Sequence, residues 1–165
     1  MIILGIDPGL ATVGIGIIEA RDQQNIRAVD WCTIRTKPGV PAAQRLCEIA
    51  GNLRTIIAEH KPDLAVVEQI FFATNEKTAI DVAQARGVIL QTVSAASIPM
   101  LEPTPLQLKS AITGDGKADK KQLQDMLARI LHLDEAPQPD DAADALGLAV
   151  YGALTEVRSE KAEVK

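Results

Sequence analysis

Cysteine and histidine are both scarce in this sequence, with two of each among 165 residues. Cys32 and Cys47 lack metal-ligand spacing, which leaves no cysteine-built zinc site. Two thiols without a secretory signal point to a reducing, cytoplasmic setting, and both are expected to be buried as small apolar residues. His60 falls at an expected helix end and His132 beside a Leu-rich segment. Neither joins a Ser or Cys nucleophile arrangement, so both read as structural. Long apolar runs are missing too. None approaches the roughly 18–20 residues that a membrane helix needs, and MIILGIDPG carries no basic region ahead of its apolar stretch, so it does not read as a signal peptide. Basic charge is in short supply. Seventeen Lys and Arg face 22 Asp and Glu, a net charge of −5. Taken alone this argues mildly against a nucleic-acid partner. Net charge describes the long-range field, however, and not one groove. The acids can be concentrated in a metal site, and the basic residues are unevenly spread.

What is present is ordinary globular material. The chain is 47% hydrophobic and 24% charged, enough to fill a core, and its length favours one domain. Residues 2–6, IILGI, form a β-favouring run that ends at the turn signal Asp7-Pro8-Gly9. Residues 12–18 and 26–35 read as two more strands, and the short turns between the three predict an antiparallel meander. Over 41–60 the apolar positions Ala42, Leu46, Ile49, Leu53, Ile56 and Ile57 follow one helical stripe. LAVV at 64–67 reads as a short buried strand ending at Glu68. Helical pattern returns over 76–96, and 99–101 reads as a short strand. Thr104-Pro105 is a helix start, with Thr as N-cap and Pro in the first turn. That helix runs to about Ile112 and is broken by Gly114-Asp115-Gly116. A further helix spans 119–131, and a stiff Pro137–Pro139 connection leads to a last helix over 140–157. The expected fold is α/β, with a mixed sheet flanked by helices. The expected organisation is a single domain over 1–157 and a charged, flexible tail over 158–165.

Four carboxylates occupy costly positions. Asp7 and Glu68 each follow a buried strand directly, at the carboxyl edge where sites of open α/β sheets form. Asp7 alone reads equally well as turn chemistry. Glu68 has neither a turn role nor strong β propensity to account for it. AADALGLAVYGAL, residues 142–154, contains a single charge, Asp144. A helix apolar all round is buried, so that carboxylate must be paired, metal-bound or beside a wet cleft. Asp141 shares its helix face three residues earlier. Capping and the helix dipole account for one or two of Asp140, Asp141 and Asp144, but not for an acidic cluster opening the most apolar helix. Four acids from three elements suit a hard cation such as Mg²⁺, which prefers carboxylate oxygens and promotes phosphodiester hydrolysis.

At these residues the chain resembles the Holliday-junction resolvases of the RuvC type, within the ribonuclease-H-like superfamily. ILGIDPG, VEQIFFATN at 67–75, AQARGV at 83–88 and PQPDDAADALGLA at 137–149 match that family's motifs in order and spacing. The resemblance implies a ribonuclease-H-like fold with a central mixed five-stranded sheet. It implies a Mg²⁺-dependent endonuclease (Mn²⁺ can substitute) that nicks opposing strands of four-way junction DNA as a homodimer and works with branch-migration proteins. By the same resemblance Asp7, Glu68, Asp141 and Asp144 are the catalytic, metal-binding acids. One departure is the extra residue in Pro139-Asp140, which leaves Asp140 or Asp141 as the third acid. The DAADA frame and the three-residue spacing favour Asp141.

Phe71 and Phe72 are the only Phe residues and stand together just after Glu68. A loop aromatic there can stack on a base; one of two adjacent Phe is expected in the core. The resemblance gives Phe71 the stacking position and Phe72 the packing one. Lys109, Lys117, Lys120 and Lys121 make the densest basic stretch and suit phosphate contact, although a solvated face is the usual fate of a Lys run. The resemblance matches Lys109 and Lys120 to family lysines near the scissile phosphate, Lys117 and Lys121 less closely. It places the helix of Arg86 at the dimer interface and gives Arg86 no contact. Competing readings are an RNA-processing nuclease on the same fold, an ATP-binding domain of the actin and sugar-kinase type, and an inactive junction-binding module. The tandem Phe and the DAADA frame oppose the first. The missing second phosphate loop and the short chain oppose the second. The full set of acids opposes the third.

Overall fold

The computed structural model describes residues 1–69 and 76–163. In chain order the elements are β1 (Ile2–Asp7), β2 (Thr12–Ala20), β3 (Ile26–Arg35), α1 (Ala42–His60), β4 (Leu64–Val67), α2 (Glu76–Ala95), β5 (Met100–Leu101), α3 (Pro105–Thr113), α4 (Lys120–Ile130) and α5 (Asp140–Glu163). The strands form one sheet in the order β3-β2-β1-β4-β5. β1, β2 and β3 pair antiparallel, while β4 runs parallel to β1 and β5 parallel to β4. The meander and the mixed sheet expected from the sequence are both present. α5 continues to Glu163, past the end expected at 157. No helix among the described residues is long and apolar enough to cross a membrane.

Strand alternation sorts the apolar residues into two cores. Leu4, Ile6, Ile15, Ile17, Ala65 and Val67 point to one face, where they meet Ile49 and Leu53 of α1 and Ala85, Ile89 and Val93 of α2. Ile3, Ile18, Leu64 and Val66 point to the other, under α3, α4 and the Ala- and Leu-rich side of α5. Asp7 and Glu68 continue the parity of Ile3 and Val66. They therefore leave their strands on the α5 side.

That side of the sheet carries glycine where a side chain would hold α5 away. A Cβ on Gly5 would stand 1.9 Å from the Ala145 carbonyl oxygen, and one on Gly14 the same 1.9 Å from the Asp141 carbonyl oxygen. Both glycines are required by close backbone approach. The helix backbone rests almost directly on β1 and β2, so Asp141 lies over the end of β2 beside Asp7.

Two capping boxes set the helices that wall the site. Thr104 accepts from the Gln107 N–H while the Gln107 side chain accepts from the Thr104 N–H, starting α3; Asp119 and Gln122 do the same for α4. The cysteine expectation is corrected: Cys32 and Cys47 are both exposed. Cys32 sits on the edge strand β3, and Cys47 on the outer side of the stripe formed by Ile49, Ala50 and Leu53.

Candidate active site

The sheet register sets Asp7 beside Glu68. Ile6 pairs with Val67, so the next residue of each strand is in line with its neighbour. α5 crosses above them and brings Asp144 down. Asp7, Glu68 and Asp144 line one cleft of about 240 Å³ together with Lys109 of α3 and Lys120 of α4, over apolar walls from Leu108, Leu123 and Leu148. Asp141 is partly buried and does not line the cleft, but it acts on Asp7 through its charge.

The electrostatics are those of negative charge with too little compensation. Burial, then the charges of Glu68, Asp144 and Asp141, push the Asp7 carboxyl from its ordinary value up to about 8, against a smaller opposing effect of Lys120. Burial and Asp144 raise Glu68, with Lys109 pulling the other way. Burial raises Asp144, opposed by the Lys120 ammonium. Lys120 Nζ lies 3.1 Å from Asp140 Oδ2 and 3.5 Å from Asp144 Oδ2. A cation at the first position of a helix is disfavoured by the dipole, and the two carboxylates offset that cost. Asp140 is exposed and pairs with Lys120 outside the cleft lining, whereas Asp141 is the one that contributes to the field at Asp7.

Among the described residues, no three His, Cys, Asp or Glu side chains already converge at ligand spacing. The acids come from separate elements: Asp7 ends β1, Glu68 follows β4, and Asp141 and Asp144 lie on α5. Their chemistry nonetheless fits a hard divalent ion: all donors are carboxylate oxygens, and a cation would offset the repulsion that lifts Asp7.

The other expected residues divide clearly. Lys109 and Lys120 face the cleft, and Lys117 is exposed outside its lining. Phe71 and Phe72 lie outside the described residues. His60 sits with Nε2 3.8 Å from Asp30 Oδ2, and neither it nor His132 lines the cleft. Sequence reasoning gave Arg86 no contact; in the structure its Nε donates to the Glu68 carbonyl oxygen at 2.9 Å and its Nη2 pairs with Glu102. It also missed Gly5 and Gly14, although glycine alternating with Ile in TVGIGII is a readable sign of close backbone approach.

The family profile described as crossover junction endodeoxyribonuclease RuvC matches residues 3–152. A protein of that name from Syntrophomonas wolfei is 49% identical over 150 residues, covering 91% of this chain and 87% of its own. One from Pelotomaculum thermopropionicum is 44% identical over the full length of both. Among solved structures, Thermus thermophilus RuvC in complex with a Holliday junction substrate is 31% identical, with a TM-score of 0.90 over 96% of each chain. The yeast mitochondrial Holliday junction resolvase Ydc2, at 13% identity and a TM-score of 0.65, shares the fold over 99% of this chain and 86% of its own. With this sheet order, this acid-lined cleft and these relatives, the chain belongs to the RuvC family of crossover junction endodeoxyribonucleases, hydrolases that act on DNA.

Proposed function

We propose that this protein resolves Holliday junctions in the cytoplasm as a Mg²⁺-dependent homodimer, each subunit making one of two symmetric nicks and acting alongside branch-migration proteins. The observation that carries the reading is the cleft itself, where acids at the ends of β1 and β4 and on α5 face two lysines from α3 and α4. Asp7, Glu68, Asp141 and Asp144 would hold the ion, which supplies Lewis acidity toward the phosphate and activation of water. Mn²⁺ can take its place. Lys109 and Lys120 bind the phosphate near the scissile bond, with Lys120 exchanging its contacts to Asp140 and Asp144 for the DNA. Lys117, farther out, adds a backbone-phosphate contact of the positioning kind. Phe71, on the segment that follows Glu68, stacks on an unpaired base at the crossover.

The test is cleavage of a synthetic four-way junction, a matching duplex and single-stranded RNA, with and without Mg²⁺. Paired nicks in the junction alone, dependent on Mg²⁺, are expected. Equal cleavage of duplex, or cleavage of RNA, would move the activity to another nuclease of the same fold. Phe71→Ala is expected to slow junction cleavage by about 5- to 150-fold, the equivalent of about 1–3 kcal/mol of stacking, without changing the melting temperature. Unchanged rates would remove Phe71 from the site.

The same assay separates the two neighbouring acids. Asp141→Asn is expected to lose about a hundredfold in rate. Asp140→Asn removes one exposed partner of Lys120, a contact of the class worth about 1 kcal/mol or less, and should stay within about tenfold of the parent. The reverse order would make Asp140 the ligand.

A further inference from the structure

Arg86 makes two contacts that the fold does not supply by other means. Alternate residues of a strand bond to opposite neighbours. The Ala65 and Gln69 amides donate to the Pro99 and Pro103 carbonyls on the β5 side, each at 2.9 Å. The Glu68 carbonyl therefore faces β1. With Ile6 opposite Val67, the amide that would meet it in register belongs to residue 8. That residue is Pro8, which has no N–H to give. Arg86 Nε fills the gap at 2.9 Å. The remainder of its guanidinium pairs with Glu102, between β5 and the start of α3. The Arg86 side chain is 18% exposed, and that of Glu102 41%. A planar fork with several donors can hold a carbonyl and a carboxylate together, and an ammonium on a flexible stem cannot do so in the same geometry.

We infer that Arg86 is a positioning residue for the nuclease site: it fixes the backbone of Glu68, and so the direction of that carboxylate, and ties it to the segment leading into the helix that carries Lys109. It touches no substrate atom in this reading. Its effect passes through Glu68 on one side and through Glu102 on the other. The inference rests on the proposed role of Glu68 in the site.

The experiment compares Arg86→Gln, Arg86→Lys, Glu102→Gln and the double variant Arg86→Gln/Glu102→Gln, with Glu68→Gln as control. Four quantities are read: kcat on the junction, junction affinity, the Mg²⁺ concentration giving half of the thermal stabilisation, and hydrogen exchange at the Gln69 amide. Arg86→Gln is expected to lower kcat about tenfold and to raise the half-saturating Mg²⁺ several-fold, the range found for groups that orient a metal ligand. Junction affinity should stay within about twofold, since no phosphate contact is removed. Exchange at Gln69 should quicken. Arg86→Lys should recover little, and the double variant should be no worse than Arg86→Gln, because the contacts act as one unit. A lowered melting temperature with kcat per folded molecule, Mg²⁺ requirement and Gln69 exchange all unchanged would overturn the inference. So would full rescue by Lys. The control separates the two levels: normal cleavage by Glu68→Gln would sink the site reading, whereas an inactive Glu68→Gln beside a fully active Arg86→Gln would sink only the role of Arg86.

Discussion

Asp7→Asn is expected to abolish junction cleavage, by at least about a hundredfold, and at the same time to make the protein more stable in the absence of divalent ions. The second effect follows from the surroundings of Asp7. Burial, and the charges of Glu68, Asp144 and Asp141, lift its carboxyl from 3.8 to about 8. Between those values the folded chain binds a proton that the unfolded chain has released. Folded stability from this group is therefore fully present below about pH 4 and is lost as pH rises through 8. Glu68 and Asp144 are displaced in the same direction. Asn carries no such liability. In metal-free buffer the parent should lose melting temperature between pH 5 and pH 8.5, and Asp7→Asn should lose less. A gap of a few kcal/mol at the upper pH corresponds to roughly 2–4 °C per kcal/mol for a chain of this size. Adding Mg²⁺ should raise the parent's melting temperature and leave the variant nearly unmoved, because an ion that binds only the folded chain stabilises it by mass action. Retained cleavage, or parallel melting curves for the two proteins at every pH, would break the assignment of Asp7 to the metal site.

That these carboxylates are costly is legible in the sequence; how the cost arises in space is not. An Asp that ends an apolar strand, a Glu that ends another and a lone Asp inside an apolar helix are each expensive in isolation. Their meeting depends on β4 entering the sheet beside β1 and parallel to it, a long-range pairing that no local pattern specifies. The meander of β1, β2 and β3 is readable because short turns leave antiparallel neighbours as the simple solution. The capping boxes are readable in part. Thr104-Pro105 announces α3, while the partner Gln107 that completes the box shows itself in the hydrogen bonds. Arg86 stands in the AQARGV motif, but nothing in that motif shows what its side chain contacts. Its importance comes from a missing N–H at Pro8, just past the end of β1 and 78 positions away in the numbering. The lysines divide on geometry. Lys109 and Lys120 face the cleft and Lys117 does not, because a basic cluster in sequence is spread over the middle of α3, a loop and the start of α4 in space.

Gly14→Ala is expected to be strongly damaging, as is Gly5→Ala, whose new Cβ would meet α5 backbone at the same 1.9 Å. At Gly14 the new Cβ would stand 1.9 Å from the Asp141 carbonyl oxygen, and backbone rather than a flexible side chain is what it meets. Either α5 lifts or β2 bends. α5 bears on β1, β2, β3 and β4, with Leu146, Ala149 and Ala153 buried in the shared core, so lifting it opens a close-packed interior. Overpacking of this kind costs about 1–3 kcal/mol and sometimes more, and the upper end is expected here. The functional loss should exceed the loss of folded molecules. Asp141 and Asp144 ride on the displaced turn, and a carboxylate moved by about 1 Å at a catalytic centre can cost about a hundredfold in rate. Gly51→Ala is the matched control. Gly51 lies in α1 with open space around its Cα, so alanine there should stabilise the helix by about 0.5–1 kcal/mol and leave cleavage unchanged. Chemical denaturation of both variants gives the stabilities, and single-turnover cleavage at a temperature where Gly14→Ala remains folded gives the rate. A Gly14→Ala protein as stable and as active as its parent would mean that α5 is not held to the sheet through that glycine, and that its acids reach the cleft by a looser route than the register of β1, β2 and α5 implies.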